Sequence, residues 1–464
     1  MSQELLQKLI NNTKEILPQS LELLKDYLTF PTVSAQKRAI PETVQFLSQI
    51  IKETGGEVKI LDDLGGNPVI YAYFSAGSKG NSQKTLLFYN HYDVQPPEPF
   101  EEWESEPFHP TIKDGKLYAR GAADNKGDLI VRLTAIKVLQ NVMGGLPCNI
   151  KFMIEGEEEI GSPNLTPYLS KYKELFSADA CIWEFGNKDD QERVQMVAGI
   201  KGMAYMELTC VGADIDMHSS VGAYVDNAAW RLVHALATMR NDQHDILVEG
   251  FFDGIIDPTE AEIEAVHMLP FDEEAIQSLY GLKRPLITKE KGEDPREAMV
   301  FKPTMTICGL ESGYTGEGAK TVLPKRAKAK LDCRLVPGQD PEHIFKCIQT
   351  HLIKNGFNDI DVELINGQKA YRSDYHHPFI HHVYQSAKTA YQKEVVIAPN
   401  SAGTGPMFDF GELLELPIVS TGVGWIGSKV HAPNESIRLK DFEEGIYYIA
   451  YMLTGFPDSL NDMD

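Results

Sequence analysis

Residues 86–97 read LLFYNHYDVQPP. The apolar run is typical of a buried parallel strand, and it ends in His91, Tyr92 and Asp93 before two prolines turn the chain. Because ligands in open α/β sheets bind beyond the carboxyl ends of strands, an imidazole and a carboxylate at this place indicate a ligand-binding edge. The remaining strands of the chain show whether they end in the same way.

Strand-like and helix-like segments alternate on both sides of this stretch. Apolar spacing predicts helices over residues 3–28 and 128–142 and a last helix from Leu439. Between them lie β-rich runs such as EVKIL, NPVIYAYF and ADACIWEFG. The alternation predicts an α/β domain with a mainly parallel sheet that helices cover on both faces.

The pattern changes near Met196. Alternating segments such as GMAYMELTCVGAD and AKAKLDCRLV, together with helices such as NAAWRLVHALATM, predict a smaller two-layer α+β unit inserted into the α/β domain. We therefore expect the α/β domain over residues 1–196 and 368–464, and the inserted domain over residues 197–367. Residues 243–300 are acidic, contain prolines and show no clear periodicity, and we assign them to the inserted domain.

The composition narrows the classes of function. The chain carries 44 basic and 67 acidic residues, a net charge of -23. This charge argues against nucleic acid or an anionic membrane as a partner, because both are polyanions. The N-terminal residues lack the pattern of a signal peptide, and no apolar run is long enough to span a bilayer. Six cysteines without a CxxC pair are typical of reduced thiols, so we expect a cytoplasmic protein.

Acidic and imidazole side chains follow several of the predicted strands. They are His91, Asp93, Asp124 in GAADNKG, Glu157, Glu158 and Glu159 after KFMI, Glu184 after ACIW, and His431 in GSKVHAPNE. So many acids at one edge repel one another unless cations neutralise them. The two histidines together with three of these carboxylates would form a ligand set that suits zinc, or manganese or cobalt at a harder site. Asp93 is placed to accept the other ring N–H of His91.

These motifs resemble, in their order, the M20 family of metallopeptidases. They are HYD (91–93), YARGAADNKG (118–127), EEIGS (158–162), Glu184, HAPNE (431–435), and, resembling the family's lid-domain motif, DMHSS (216–220). The stretch GAKTVLPKRAKAKLDCRLVPGQDPE (318–342) resembles the branch with cytosolic non-specific dipeptidases and carnosinases. The resemblance covers nearly the whole chain. It implies a catalytic domain interrupted by an inserted lid and dimerisation domain.

The resemblance also implies a centre of two divalent metal ions per subunit, zinc first and manganese or cobalt as alternatives. Asp124 would bridge the ions, and a non-proline cis peptide would follow it. His91 and Glu184 would complete one site, and Glu159 and His431 would complete the other. Glu184 departs from the family pattern, because it lies one residue nearer to the preceding Ala-Asp pair.

Further roles follow from the same resemblance. Glu158 would be the general base, His218 would help to hold the carbonyl oxygen, and Arg334 would bind the terminal carboxylate of the substrate. The other expected substrate contacts are Asn227, Gly403 and Thr404. Glu157 is expected to be a solvated side chain outside the site.

Two enzymatic functions are compatible with these residues, and a third, non-enzymatic function is disfavoured by Glu158. The first hypothesis is a hydrolase that cleaves dipeptides or short peptides with metal-activated water. A deacylase of N-acyl amino acids would use the same centre. A binding protein that has lost catalysis would have no use for Glu158. The resemblance also implies a homodimer formed through the inserted domain, with His218 reaching the active site of the other subunit.

Overall fold

The computed structural model describes residues 2–460, which divide into two compact units. The large unit extends to Gly199 and includes Arg372–Pro399 and the described residues from Asp409, and the small unit comprises Ile200–Tyr371 and Asn400–Phe408. The small unit thus interrupts the large one along the chain.

Helices are distributed over both units. Within residues 2–460 they are α1 (Gln3–Leu28), α2 (Ile40–Glu53), α3 (Gly127–Met143), α4 (Leu165–Lys171), α5 (Lys173–Phe176), α6 (Ala228–Met239), α7 (Glu260–His267), α8 (Glu273–Tyr280), α9 (Ile287–Lys291), α10 (Pro295–Phe301), α11 (Pro341–Lys354), α12 (Pro378–Tyr391), α13 (Met407–Leu413) and α14 (Leu439–Ser459). None of these helices is both long enough and apolar enough to cross a membrane.

Strands alternate with these helices. Within the same residues they are β1 (Glu57–Leu61), β2 (Val69–Phe74), β3 (Asn81–His91), β4 (Thr111–Lys113), β5 (Lys116–Tyr118), β6 (Cys148–Glu155), β7 (Ala180–Trp183), β8 (Asn187–Lys188), β9 (Val194–Val197), β10 (Gly199–Ile200), β11 (Gly202–Val211), β12 (Met217–His218), β13 (Thr304–Ser312), β14 (Val322–Leu323), β15 (Arg326–Leu335), β16 (Ile360–Gln368), β17 (Tyr371–Arg372), β18 (Val395–Ala398), β19 (Ile418–Ser420), β20 (Gly424–Trp425) and β21 (Ser436–Arg438).

A six-stranded sheet lies at the centre of the large unit, in the order β1-β2-β6-β3-β7-β19. Neighbours from β6 to β19 are parallel, whereas β1, β2 and β6 pair antiparallel. Apolar side chains of the sheet share one core with those of α1, α3, α12 and α14. Strand β6 is buried along almost its whole length, as expected for a strand that is covered on both faces.

The strand order brings the predicted site residues to one edge. His91 is the last residue of β3 and lies opposite Glu155, the last residue of β6. Glu184 directly follows β7, the other neighbour of β3. Because parallel strands end on the same side of a sheet, these three ends lie next to one another.

The small unit contains a four-stranded antiparallel sheet in the order β13-β15-β11-β16. Along β11, Ala204, Met206 and Leu208 are buried in one core with residues of α6 and α11, and the residues between them are half-buried. This is the predicted two-layer α+β unit. Together with the large sheet, it confirms the fold class.

The four short helices α7 to α10 lie almost entirely within residues 243–300, where the sequence predicted no regular element. Of the residues in these helices, Glu262, Ala265, Val266 and Val300 are buried, so no long apolar stripe marks them. A capping box formed by Thr259 and Glu262 begins α7. This pattern is visible in the sequence and could have located that helix.

Candidate metal centre and active site

Two histidines and three carboxylates meet at the carboxyl edge of the large sheet. Nε2 of His91 lies 3.0 Å from Oδ1 of Asp124 and 3.3 Å from Oε2 of Glu184. Nε2 of His431 lies 3.0 Å from Oδ2 of Asp124 and 3.2 Å from Oε2 of Glu159. Each carboxylate oxygen of Asp124 therefore faces a different histidine, and each histidine has a second carboxylate beside it.

This donor set fits divalent cations. The ligand atoms of His91, Asp124 and Glu159 lie within 4.8 Å of one another. Oε2 of Glu184 is buried and accepts no hydrogen bond from the described part of the chain. A buried carboxylate oxygen without a donor is costly, and a cation would satisfy it. Imidazole nitrogens and carboxylate oxygens are ligands that zinc accepts.

The closely spaced carboxylates and imidazoles shift one another's pKa values. Burial, and after it the charge of Asp124, raises the pKa of Glu184 to about 8, although His91 opposes the shift. Burial alone would lower the pKa of His91, but the neighbouring carboxylates raise it well above its usual value. Hydrogen bonds to Asp124 and Glu159 raise the pKa of His431 to about 10. These directions indicate an excess of negative charge, which bound cations would neutralise.

Asp93 contacts Nδ1 of His91, the ring nitrogen that does not face Asp124. Nδ1 of His91 lies 2.9 Å from the main-chain oxygen of Asp93 and 3.5 Å from its Oδ1. Oδ2 of Asp93 accepts a hydrogen bond of 3.1 Å from the main-chain N–H of Glu159. A neutral His91 that donates through Nδ1 turns the lone pair of Nε2 towards Asp124, as a metal ligand must.

The three consecutive glutamates after β6 have different surroundings. Glu157 is 8% exposed and accepts hydrogen bonds from the main chain of Asn67, at 3.1 Å, and from Nδ2 of Asn164, at 2.8 Å. The expectation that Glu157 is solvated was therefore wrong, because it fastens two loops. The Glu158 carboxylate accepts no hydrogen bond from residues 2–460, and burial, followed by the charge of Glu184, raises its pKa well above the usual value.

Glu435 holds the loop that carries Asp124, although the sequence suggested no role for it. Its Oε1 accepts hydrogen bonds from the N–H groups of Ala123, at 2.9 Å, and Asp124, at 3.0 Å. Its Oε2 accepts from the N–H of Gly121, at 2.9 Å, and from Nη1 of Arg120, at 2.8 Å. Only its place in the HAPNE motif could have pointed to Glu435, since these partners are more than 300 residues away.

Arg132 of α3 donates hydrogen bonds to the main chain near the ends of three strands. Its guanidinium donates to the main-chain oxygens of Tyr89, at 2.6 Å, Trp183, at 2.5 Å, and Thr421, at 3.2 Å. Tyr89 lies two residues before the end of β3, Trp183 is the last residue of β7, and Thr421 directly follows β19. The edge that carries the site is therefore held by a buried cation that the sequence did not single out.

The segment after Asp124 reaches the same edge. The peptide bond between Asp124 and Asn125 is cis, as the resemblance implies. Nδ2 of Asn125 donates a hydrogen bond of 2.7 Å to the main-chain oxygen of Glu184. This contact links the loop that carries one predicted ligand to the strand end that carries another.

Arg334, Gly403 and Thr404 lie in the small unit. Nη1 of Arg334 donates a hydrogen bond of 2.7 Å to Oγ1 of Thr404, and Nε donates one of 3.1 Å to Oδ2 of Asp332. The N–H of Gly403 donates to Oγ of Ser401 at 3.1 Å. The side chain of Arg334 remains 32% exposed, so part of its guanidinium is open to other partners.

His218 and Asn227 also lie in the small unit, where both cap local backbone. Nδ1 of His218 accepts a hydrogen bond of 3.2 Å from the N–H of Ser220, and Nε2 lies 3.3 Å from Oγ1 of Thr321. Oδ1 of Asn227 accepts one of 2.8 Å from Ala229 at the start of α6. His218 is exposed, so its ring is accessible within this chain.

Comparisons with known proteins agree with the motifs. The profile of peptidase family M20/M25/M40 matches residues 87–455. The chain is 27% identical to the Cys-Gly metallodipeptidase dug1 of Schizosaccharomyces pombe, over 96% of each chain. It is 29% identical to the human Beta-Ala-His dipeptidase, over 83% of this chain and 75% of that one. The structure of the M20 family metallo-carboxypeptidase Sso-CP2 from Sulfolobus solfataricus shares 38% identity and a TM-score of 0.87, over 95% of this chain and 99% of that one. This chain therefore belongs to peptidase family M20/M25/M40, as its motifs predicted, and is a hydrolase of the metallopeptidase class.

Proposed function

We propose that this protein hydrolyses the amide bond of dipeptides or short peptides that have a free carboxyl terminus, using two divalent metal ions. The observation that carries the proposal is the position of Asp124 between two histidine–carboxylate groups, with Glu158 nearby and free of hydrogen bonds from the described residues. The names of the relatives, two dipeptidases and a carboxypeptidase, support a peptide substrate.

Five side chains would hold the ions, for which zinc is the first candidate. Asp124 would give one oxygen to each ion, with His91 and Glu184 completing one site and His431 and Glu159 completing the other. When bound, such ions polarise a scissile carbonyl and lower the pKa of a water molecule.

The remaining chemistry falls to side chains of the protein. Glu158 would take a proton from the attacking water and pass it to the leaving amine. Burial raises the pKa of Glu158, which suits a group that must hold this proton for a time. His218 would stabilise the developing oxyanion, and Arg334 would bind the substrate carboxylate with its planar guanidinium. Further proposed substrate contacts are Asn227, Gly403 and Thr404.

Replacing Glu158 with glutamine tests the proposal. Glu158→Gln should retain both metal ions and lose turnover of dipeptides by about 10²–10⁴-fold, since that is what general acid–base catalysis contributes. Metal content and kcat are measured on the same preparation. The matched control is Glu157→Gln, which keeps an oxygen for the N–H of Asn67 and should stay active.

Two results would contradict this assignment. Loss of metal from Glu158→Gln would make Glu158 a ligand, and near-normal turnover would remove it from the reaction. Wild-type protein is also assayed with tripeptides and with N-acetyl amino acids. Preference for the N-acetyl compounds would replace the peptidase proposal with that of a deacylase at the same centre.

We also propose a homodimer formed through the small unit, in which His218 acts at the active site of the partner subunit. Exposed apolar side chains on α6 and on the edge strand β13 support an interface there. They are Trp230, at 61% exposure, Val233, Ile307 and Leu310.

Complementation between two inactive variants tests this arrangement. Glu158→Gln and His218→Ala are unfolded and refolded together, and mixed dimers are verified by a size tag on one variant. If His218 acts on the partner, a mixed dimer contains one site with neither defect, and activity returns. If mixed dimers form and remain inactive, His218 acts within its own subunit.

A further inference from the structure

Helix α11 in the small unit carries a histidine and a cysteine one turn apart. Residues four positions apart share one helix face. Nε2 of His343 lies 3.4 Å from Sγ of Cys347. His343 is exposed and Cys347 is half-buried. Two soft or borderline donor atoms are thus held side by side on a rigid element.

A turn opposite this helix face adds oxygen donors. Nε2 of His343 lies 3.3 Å from the main-chain oxygen of Gly250 and 3.8 Å from Oδ2 of Asp253. A Cβ atom built on Gly250 would lie 2.9 Å from Sγ of Cys347, 3.3 Å from Oδ2 of Asp253 and 3.7 Å from Nε2 of His343. Sulfur, oxygen and nitrogen therefore surround one small space that glycine leaves open.

The turn is fastened to the chain that leads into α11. Nε2 of Gln339 donates a hydrogen bond of 2.6 Å to the main-chain oxygen of Phe251, which is fully buried. The N–H of Ile256 donates one of 3.0 Å to Pro337. Packing and hydrogen bonds that fix both sides of a donor set preorganise it for a ligand.

We infer that Cys347, His343 and Asp253, with the carbonyl of Gly250, bind a divalent metal ion of the zinc type. Thiolate, imidazole and carboxylate are the ligands of tetrahedral zinc sites. For zinc–sulfur and zinc–nitrogen bonds of ~2.3 and ~2.0 Å at a tetrahedral angle, the two donor atoms lie about 3.5 Å apart. The observed 3.4 Å agrees with this value. Binding displaces the thiol proton of Cys347 to solvent, and Asp253, whose side chain is 71% exposed, can turn towards the ion.

A nucleophilic cysteine is the competing interpretation of the same side chains. Burial, and after it the charges of Asp253 and Glu249, raises the pKa of the Cys347 thiol. A reactive cysteine needs the opposite shift, because it must be a thiolate before it reacts, whereas a metal ion displaces the thiol proton when it binds. The same acidic neighbours attract a cation, which agrees with a metal site.

Cobalt absorption tests the proposal on the full chain. Chelator-treated, reduced protein is titrated with Co²⁺, whose thiolate complexes give a charge-transfer band in the near ultraviolet. None of the five ligands proposed in the large unit is a cysteine, so that metal centre cannot give the band. We expect the band in the wild type and in Asp124→Ala, and its loss in Cys347→Ser.

Two further variants sharpen the result. His343→Ala should weaken cobalt binding by roughly tenfold or more, since even groups that only support metal ligands contribute that much. Cys308→Ser is the matched control, because Cys308 is an exposed cysteine on β13 and should not affect the band. No thiolate band at saturating Co²⁺, a band that survives Cys347→Ser, or its loss in Cys308→Ser would overturn the proposal. Because these outcomes concern the small unit, they are independent of the proposed peptidase activity.

Discussion

Each unit contains an arginine paired with a carboxylate, but the two pairs have different surroundings. In the large unit, the side chains of Arg120 and Glu435 are each 1% exposed, and Nη1 of Arg120 lies 2.8 Å from Oε2 of Glu435. In the small unit, Nη2 of Arg334 lies 3.1 Å from Oδ2 of Asp332, and the two side chains are 32% and 16% exposed. A buried pair fixes geometry, because neither partner has water as an alternative. A partly exposed arginine can exchange partners at much lower cost.

This difference in burial matches the role proposed for each unit, metal binding in the large unit and binding of the substrate carboxylate in the small unit. Metal ligands need fixed positions, and Glu435 bonds the main chain on both sides of Ala122 and at Asp124 itself. A substrate carboxylate enters and leaves, so Arg334 needs a guanidinium that is held by Thr404 and Asp332 and still open to solvent. Under this proposal, burial in the large unit would keep a permanent metal site in place, and exposure in the small unit would let a substrate site exchange its ligand.

The largest effect should come from the residue at the centre of the buried site. Asp124→Ala removes both oxygens that face His91 and His431, so we expect loss of both metal ions and of all measurable turnover. His91→Ala should lose less metal, because the ligands of the second ion remain. Metal content after dialysis checks both variants. If Asp124→Ala retained as much metal as His91→Ala, Asp124 would not bridge two ions.

The next effect concerns the buried pair that supports this site. Arg120→Met leaves the charge of Glu435 buried without its cation, and breaking a buried pair in this way costs about 3–5 kcal/mol. Urea unfolding should therefore show a free energy of unfolding reduced by that amount. The control is Lys171→Met, because Lys171 pairs with Asp63 at the surface, with side chains 47% and 43% exposed. An equal midpoint for Arg120→Met and Lys171→Met would contradict the distinction between buried and exposed pairs.

Much of the fold could be predicted because burial imposes a periodic pattern on the sequence. The helix predicted over residues 3–28 is α1 (Gln3–Leu28), and the run EVKIL is β1. Strand β13 was missed because most of its residues are exposed and no alternation marks it. The helices of residues 243–300 could not be predicted for a similar reason, since they bury few side chains.

The sequence predicts a site residue only where that residue follows an apolar strand or lies in a motif. His91 and Glu184 follow apolar runs, which local sequence shows. Which of the glutamates after β6 is buried depends on Asn67 and Asn164, and the support of Asp124 depends on a glutamate 311 residues away. Such long-range partners leave no local signal.

The smallest effect should come from the exposed arginine. Arg334→Ala removes a charged donor for the substrate carboxylate, and hydrogen bonds to charged groups contribute about 1.5–3 kcal/mol. We therefore expect the KM for free dipeptides to rise by roughly tenfold to hundredfold, with kcat less affected. Arg334→Lys keeps the charge without the planar fork and should recover part of the loss.

The substrate itself provides the sharper test of Arg334. Dipeptides with an amidated carboxyl terminus lack the group that the arginine is proposed to bind, so they should be poor substrates of the wild type and insensitive to Arg334→Ala. Asp332→Asn should have a smaller effect than Arg334→Ala, because Thr404 still holds Nη1. If the wild type cleaved free and amidated dipeptides equally well, Arg334 would not be the carboxylate anchor. Its partial exposure would then be that of an ordinary surface pair, and the contrast with Arg120 would concern stability alone.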